Sequence, residues 1–211
     1  MIRVLVADDE PLIRAGIRTV LESAGDIVVV AEAADGRTAA GHANDVDVAL
    51  LDIRMPLLDG LDALQALHSV RPELPVVILT SFGIEQNVAR ALQRGAAGFL
   101  LKNCTPGELI RAVRAARDGD AYLSPEVTRH VFNLVGPEDA ERRSAARRRL
   151  AVLTPKESDV LRLVAEGLSN AEIGGRLRMS ETSIKTYVSR ILTKLGCANR
   201  VQAALMQHDL L

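Results

Sequence analysis

Two adjacent aspartates, Asp8 and Asp9, directly follow the apolar run 3–7, and a third, Asp52, directly follows the run 46–51. Thr80 closes the run 76–80, and Lys102 comes straight after the run 98–101. If each run is a strand of one parallel sheet, all five side chains lie at its carboxyl edge, where open α/β sheets bind ligands. Crowded carboxylates raise one another's pKa unless a cation stands among them. Mg2+ suits such a set, because it takes hard oxygen ligands from few carboxylates and keeps positions for water and phosphate oxygens. A carboxylate neutralised in this way can attack phosphorus and form an aspartyl phosphate. Lys102 and the Thr80 hydroxyl could then hold phosphoryl oxygens. That chemistry depends on positioning and charge neutralisation more than on acid–base catalysis.

The elements that would position these residues can be read from the pattern. The runs 3–7, 27–31, 46–51, 76–80 and 98–101 are mostly Val, Ile and Leu without polar alternation, as in parallel strands covered on both faces. Amphipathic stretches at 11–23, 37–44, 61–69, 85–94 and 106–118 alternate with them, and Gly and Pro punctuate the joins. Five strands alternating with five helices predict a doubly wound α/β domain over residues 1–120. Residues 121–149 read as a partly helical linker, with a short helix predicted over 125–134 and an Arg-rich run ending at Arg149. Residues 150–211 carry helix start signals and no strand pattern, which predicts a small all-α domain. Thr154-Pro155-Lys156-Glu157 and Ser169-Asn170-Ala171-Glu172 are capping boxes, Ser180 can cap a third helix, and Gly167 and Gly196 stand where helices should stop.

Bulk properties narrow the class. The 211 residues are 48% hydrophobic and 25% charged, with 2% aromatic and no Trp, so the core must be aliphatic. No run reaches the roughly 18 apolar residues of a membrane span, and the N-terminus does not read as a signal peptide. Cys104 and Cys197 fit no metal spacing and read as reduced thiols, so a cytoplasmic protein with no membrane partner is expected. The net charge of −1 hides an asymmetry: residues 1–140 hold 13 basic and 20 acidic side chains, whereas 141–211 hold 13 basic and 7 acidic. A basic second part suggests a polyanionic partner.

At the acidic residues the sequence resembles the receiver domains of response regulators, over roughly residues 2–119. The motifs are Ala7-Asp8-Asp9-Glu10, Leu51-Asp52-Ile53-Arg54-Met55-Pro56 through Asp59-Gly60, Leu79-Thr80-Ser81 and Leu101-Lys102. The resemblance implies a flavodoxin-like fold. It makes Asp52 the phosphoacceptor, and Asp8, Asp9, Asp52 and the backbone carbonyl of Arg54 the Mg2+ site. It makes Thr80 and Lys102 the phosphate-contacting pair, and Phe99 the aromatic partner of the switch threonine. Receivers often carry Tyr there, and Phe99 has no hydroxyl to bond. Haloacid-dehalogenase enzymes also use an Asp nucleophile with Mg2+, but in an Asp-x-Asp-x-Thr motif after the first strand. Glu10 and Leu12 break that pattern here. No enzyme is expected beyond slow autophosphorylation or autodephosphorylation.

Residues 153–205 closely resemble the LuxR-type helix-turn-helix of the NarL/FixJ group. In such a motif the second helix enters the major groove and its N-terminal half faces base edges. Within 181–194, Ile184, Val188, Ile191 and Leu192 form an inward stripe, continued by Leu195. Lys185, Thr186 and Ser189 then take the base-facing side. Thr182, Tyr187, Arg190, Lys194 and Arg200 are candidates for flanking contacts, chiefly to phosphate. Val201, Leu205 and His208 on the last helix are candidates for a dimer surface. The combined resemblance implies a two-component transcription regulator, phosphorylated by a sensor histidine kinase, that binds double-stranded promoter DNA and is a homodimer when active. The alternative is a constitutive DNA binder whose receiver serves only for dimerisation.

Overall fold

The computed structural model describes residues 1–81, 84–123 and 147–208. The chain divides into two compact units, Met1–Val131 and Phe132–Leu211.

The first unit follows the element order β1 (Ile2–Ala7), α1 (Pro11–Glu22), β2 (Ile27–Ala33), α2 (Gly36–Ala40), β3 (Val48–Asp52), α3 (Gly60–Val70), β4 (Val76–Thr80), α4 (Ile84–Gln93), β5 (Gly98–Leu101), α5 (Pro106–Asp118) and β6 (Tyr122–Leu123). The sheet runs β2-β1-β3-β4-β5-β6, and every pairing is parallel. The five expected strands are present. The sixth has only two residues, too few to stand out as a strand pattern, and lies at the start of the stretch read as linker. The helix expected over 37–44 closes after Ala40 and continues as turns, because Gly41 and Asn44 favour them over helix.

Side chains alternate across the sheet. Val4, Val6, Val48, Leu50, Val77, Leu79 and Leu100 face one side, where they pack with Ile17 and Leu21 of α1 and Leu109, Ala112, Val113 and Ala116 of α5. The intervening residues, among them Leu5, Ala49, Leu51, Ile78 and Phe99, are buried on the other side. There α2 and α3 pack against each other. With both faces covered, the strands need no polar alternation, which is the pattern seen in the sequence.

The second unit is helical in its described part: α6 (Pro155–Ala165), α7 (Asn170–Leu177), α8 (Glu181–Leu195) and α9 (Arg200–His208). Both capping boxes form, with Thr154 accepting from the Glu157 amide and Ser169 from the Glu172 amide. Ser180 caps α8, and Gly196 ends it in the left-handed region at φ 61°. Leu150, Val160, Leu161, Ile173, Ile184, Val188, Ile191, Leu195 and Ala203 are buried together in its core. The helix expected over 125–134 and most of the linker lie outside the described residues.

Candidate functional site

Strand alternation puts Asp52 on the same face of the sheet as Leu50, and Lys102 on that of Leu100. Asp8 follows Val6 with the same parity. The three therefore meet above the α1/α5 side at the carboxyl edge. Lys102 Nζ lies 2.7 Å from Asp8 Oδ2, 3.1 Å from Asp52 Oδ2 and 3.7 Å from Glu10 Oε1. Asp8 is wholly buried and Asp52 is 5% exposed. The backbone around Asp52 is held by a neighbouring helix start. Gly60, the first residue of α3, donates its amide to Ile53 O at 2.9 Å. A Cβ built on it would stand 2.0 Å from Asp52 O. Only glycine lets the start of α3 press this closely on the strand end that carries Asp52.

The charges are not balanced. Burial pushes the Asp52 carboxyl above its ordinary value, and the neighbouring Asp8 charge adds to this, although Lys102 pulls the other way. Burial alone would lower the Lys102 pKa, but its contacts with Asp8 and Asp52 outweigh burial and hold it above the ordinary lysine value. One ammonium thus serves two buried carboxylates. Among the described residues, no donor reaches Asp8 Oδ2 in hydrogen-bond geometry, and Lys102 approaches it as an ion partner. Two buried carboxylates that share one ammonium, beside further acids, fit a hard cation.

Asp8, Asp9 and Glu10 bring one carboxylate oxygen each within 4.8 Å of one another. Asp52 stands across Lys102 from this group. Glu10 is therefore an additional acid at the pocket, and the signal for it was its place directly after Asp9. Arg14 also escaped the sequence reading: its guanidinium donates to Asp8 O at 2.6 Å and pairs with Glu32 at 3.2 Å. Arg54 is exposed two residues beyond Asp52. Thr80 is buried at the end of β4, and its carbonyl accepts the Lys102 amide at 2.8 Å. Phe99 pairs with Ile78 in register, on the same face as Thr80, and its ring is wholly buried.

On α8, Thr182, Thr186, Ser189 and Arg190 are exposed, and Lys185 is partly exposed with its ammonium 3.1 Å from Glu181. Tyr187 leans on the helical core. One expectation is corrected. Arg200 is 7% exposed and donates to Leu168 O at 2.7 Å and Asn170 Oδ1 at 3.4 Å. It ties α9 to the start of α7 and is not presented to a phosphate. Lys194 is exposed, and its ammonium lies 2.7 Å from the buried Glu157 carboxylate. Val201 is 7% exposed, whereas Leu205 is half-buried. The His208 side chain lies outside the described residues.

Gly174 lies inside α7 and is buried. Its carbonyl accepts the Met179 amide at 2.9 Å, and a Cβ there would stand 2.7 Å from Met179 O. It lets the turn between α7 and α8 close onto α7, which sets the angle at which α8 leaves.

Comparison with known proteins matches this arrangement on both units. Residues 4–114 match the response regulator receiver domain, and residues 151–207 match the luxR family of bacterial regulatory proteins. The chain is a response regulator of the NarL/FixJ type. It is 35% identical over 208 residues to the nitrate/nitrite response regulator NarL of Escherichia coli (strain K12), covering 98% of this chain and 94% of that protein. It is 35% identical over 215 residues to the response regulator VraR of Staphylococcus epidermidis, covering 100% and 99%. Among solved structures, it resembles the response regulator ChrA of a heme-sensing two-component system, with a TM-score of 0.55 and 35% identity, covering 100% and 98%. The regulator is therefore a two-component transcriptional regulator with a receiver and a LuxR-type DNA-binding domain. Among the described residues, no helix is long and apolar enough to cross a membrane.

Proposed function

We propose that Asp52 is the phosphoacceptor and that its modification gates DNA binding by α8. The observation that carries this is the single Lys102 ammonium between two buried carboxylates, Asp8 and Asp52. Asp8 and Asp9, with Asp52 and the Arg54 carbonyl, would hold Mg2+, and Glu10 stands beside them. When bound, the ion supplies the positive charge that phosphoryl oxygens require. The chain's own residues do the rest. An Asp52 oxygen forms a bond to phosphorus as the P–N bond of the kinase's phosphohistidine breaks. Lys102, already poised 3.1 Å from that carboxylate, takes a phosphoryl oxygen, and the Thr80 hydroxyl takes another. Thr80 and Phe99 share a sheet face, so a shift of the hydroxyl opens room for the ring to follow. Phosphate acts by favouring one of two conformations, which requires that it be held better in that one.

On the DNA side, Lys185, Thr186 and Ser189 face base edges, with Thr182, Tyr187, Arg190 and Lys194 flanking them. A dimer through α9 would use Leu205 and His208. Residues 1–120, 121–149 and 150–211 serve as receiver, linker and DNA-binding domain of a cytoplasmic protein whose turnover is limited to its own phosphate. The test is a DNA-binding titration on the promoter of its own operon, with and without acetyl phosphate and Mg2+, comparing wild type with Asp52→Asn. Tightening in wild type alone supports gating. Equal binding by both proteins under all conditions would mean that the receiver is not the gate.

A further inference from the structure

Arg178 stands at the end of α7, two residues before the Ser180 cap of α8. Its backbone is left-handed, with φ 54° and ψ 48°. Side-chain-bearing residues adopt that region at a steric cost, and helix ends of this kind are usually Gly or Asn. As a cap it uses only its amide, donating to Gly174 O, and its charge at an exposed helix C-terminus contributes only a fraction of a kcal/mol. Its side chain is exposed and pairs with no carboxylate among the described residues. Nearby acids are committed elsewhere: Glu172 to Ser169, Glu166 to Arg176 and Arg162, and Glu181 to Lys185. An unneutralised guanidinium is thus fixed in the turn that leads into the helix carrying the exposed face Thr182, Lys185, Thr186 and Ser189. When that helix enters a major groove, the turn before it lies at the groove's edge, where phosphates run.

We infer that Arg178 is a backbone-phosphate contact that sets the register of α8 on the duplex. This rests on the reading of α8 as the groove-entering helix. Arg178 specifies no base, so its contribution is equal across sequences and sensitive to salt. The test uses the full chain with Mg2+ and acetyl phosphate, titrating a mixed-sequence duplex at several salt concentrations. Arg178→Gly and Arg178→Asn both relieve the backbone, so each should raise the melting temperature of the helical unit. Each should nevertheless lower the salt slope by about 0.9 per bound protomer and weaken binding about fivefold at 0.15 M salt. Arg178→Lys should keep the slope, since a point charge suffices. A purely structural role predicts no change of slope, and unchanged slopes in the Gly and Asn variants would overturn the inference. Failure of the wild type itself to bind with a salt slope would instead remove the reading of α8 on which it rests.

Discussion

Gly174 and Gly175 are neighbours on α7, yet replacing each by alanine should act in opposite directions. Both lie in helix interior, where alanine is better than glycine by about 0.8–1 kcal/mol. At Gly175 a Cβ would meet nothing within 4 Å, so Gly175→Ala should realise that gain. For a domain of this size it corresponds to a rise in melting temperature of roughly 4–8 °C. At Gly174 the same Cβ would lie 2.7 Å from Met179 O. The obstacle is backbone, and it belongs to the turn whose Met179 amide bonds back to Gly174 O. Overpacking of this kind costs about 1–3 kcal/mol. The helix gain is common to both variants and cancels in the comparison, so Gly174→Ala should be less stable than Gly175→Ala by about that overpacking cost. Calorimetry on the full chain would follow the transition of the helical unit, with the receiver's transition as internal reference. Gly174→Ala should also weaken DNA binding, because the turn must open and α8 must tilt. Equal stabilisation by both substitutions would refute the claim that the turn is held rigidly against α7.

Other outcomes follow from the charged contacts. Lys102→Met leaves Asp8 and Asp52 buried without their cation, and breaking such a pair costs about 3–5 kcal/mol; thermal melts should show a loss that added Mg2+ partly restores, and a loss untouched by Mg2+ would contradict the proposed metal site. Glu157 is held below its ordinary pKa by Lys194 and by the Thr154 amide. Its contribution is therefore complete above the unfolded glutamate range near pH 4.3 and is lost as pH falls through the lower folded value. Glu157→Gln should flatten the acid limb of the helical unit's stability curve. Arg200→Met should destabilise that unit by about 1–3 kcal/mol through the unpaired Leu168 carbonyl, with little change in the salt slope of DNA binding; a reduced slope would restore Arg200 as a phosphate contact.

Much of this arrangement was legible from local signals. Strand ends could be located because Val- and Ile-rich runs stop at polar residues, and the capping boxes at Thr154 and Ser169 announce their helices within four residues. The acidic pocket was legible because a parallel sheet gathers its strand ends at one edge. What escaped was set by distant partners. Nothing near Lys194 signals Glu157, and nothing near Arg200 signals Leu168 O; of the two cations, Arg200 is the one the fold buries. Glycines were opaque for the same reason. Gly60 and Gly174 are required by backbone that approaches from elsewhere, whereas Gly175, identical in type, faces open space.

The end of the linker has a practical consequence for modularity. The Arg149 guanidinium bonds the Leu195 carbonyl at the last turn of α8, and Leu150 is buried in the helical core. A transplant of the DNA-binding half onto another receiver, spliced at the first capping box, would discard both. The recipient would then carry an α8 with an untethered end and a gap in its core. Splice sites for chimeric regulators built from this chain should therefore fall before residue 147, so that the last turn of the linker travels with the helices it supports.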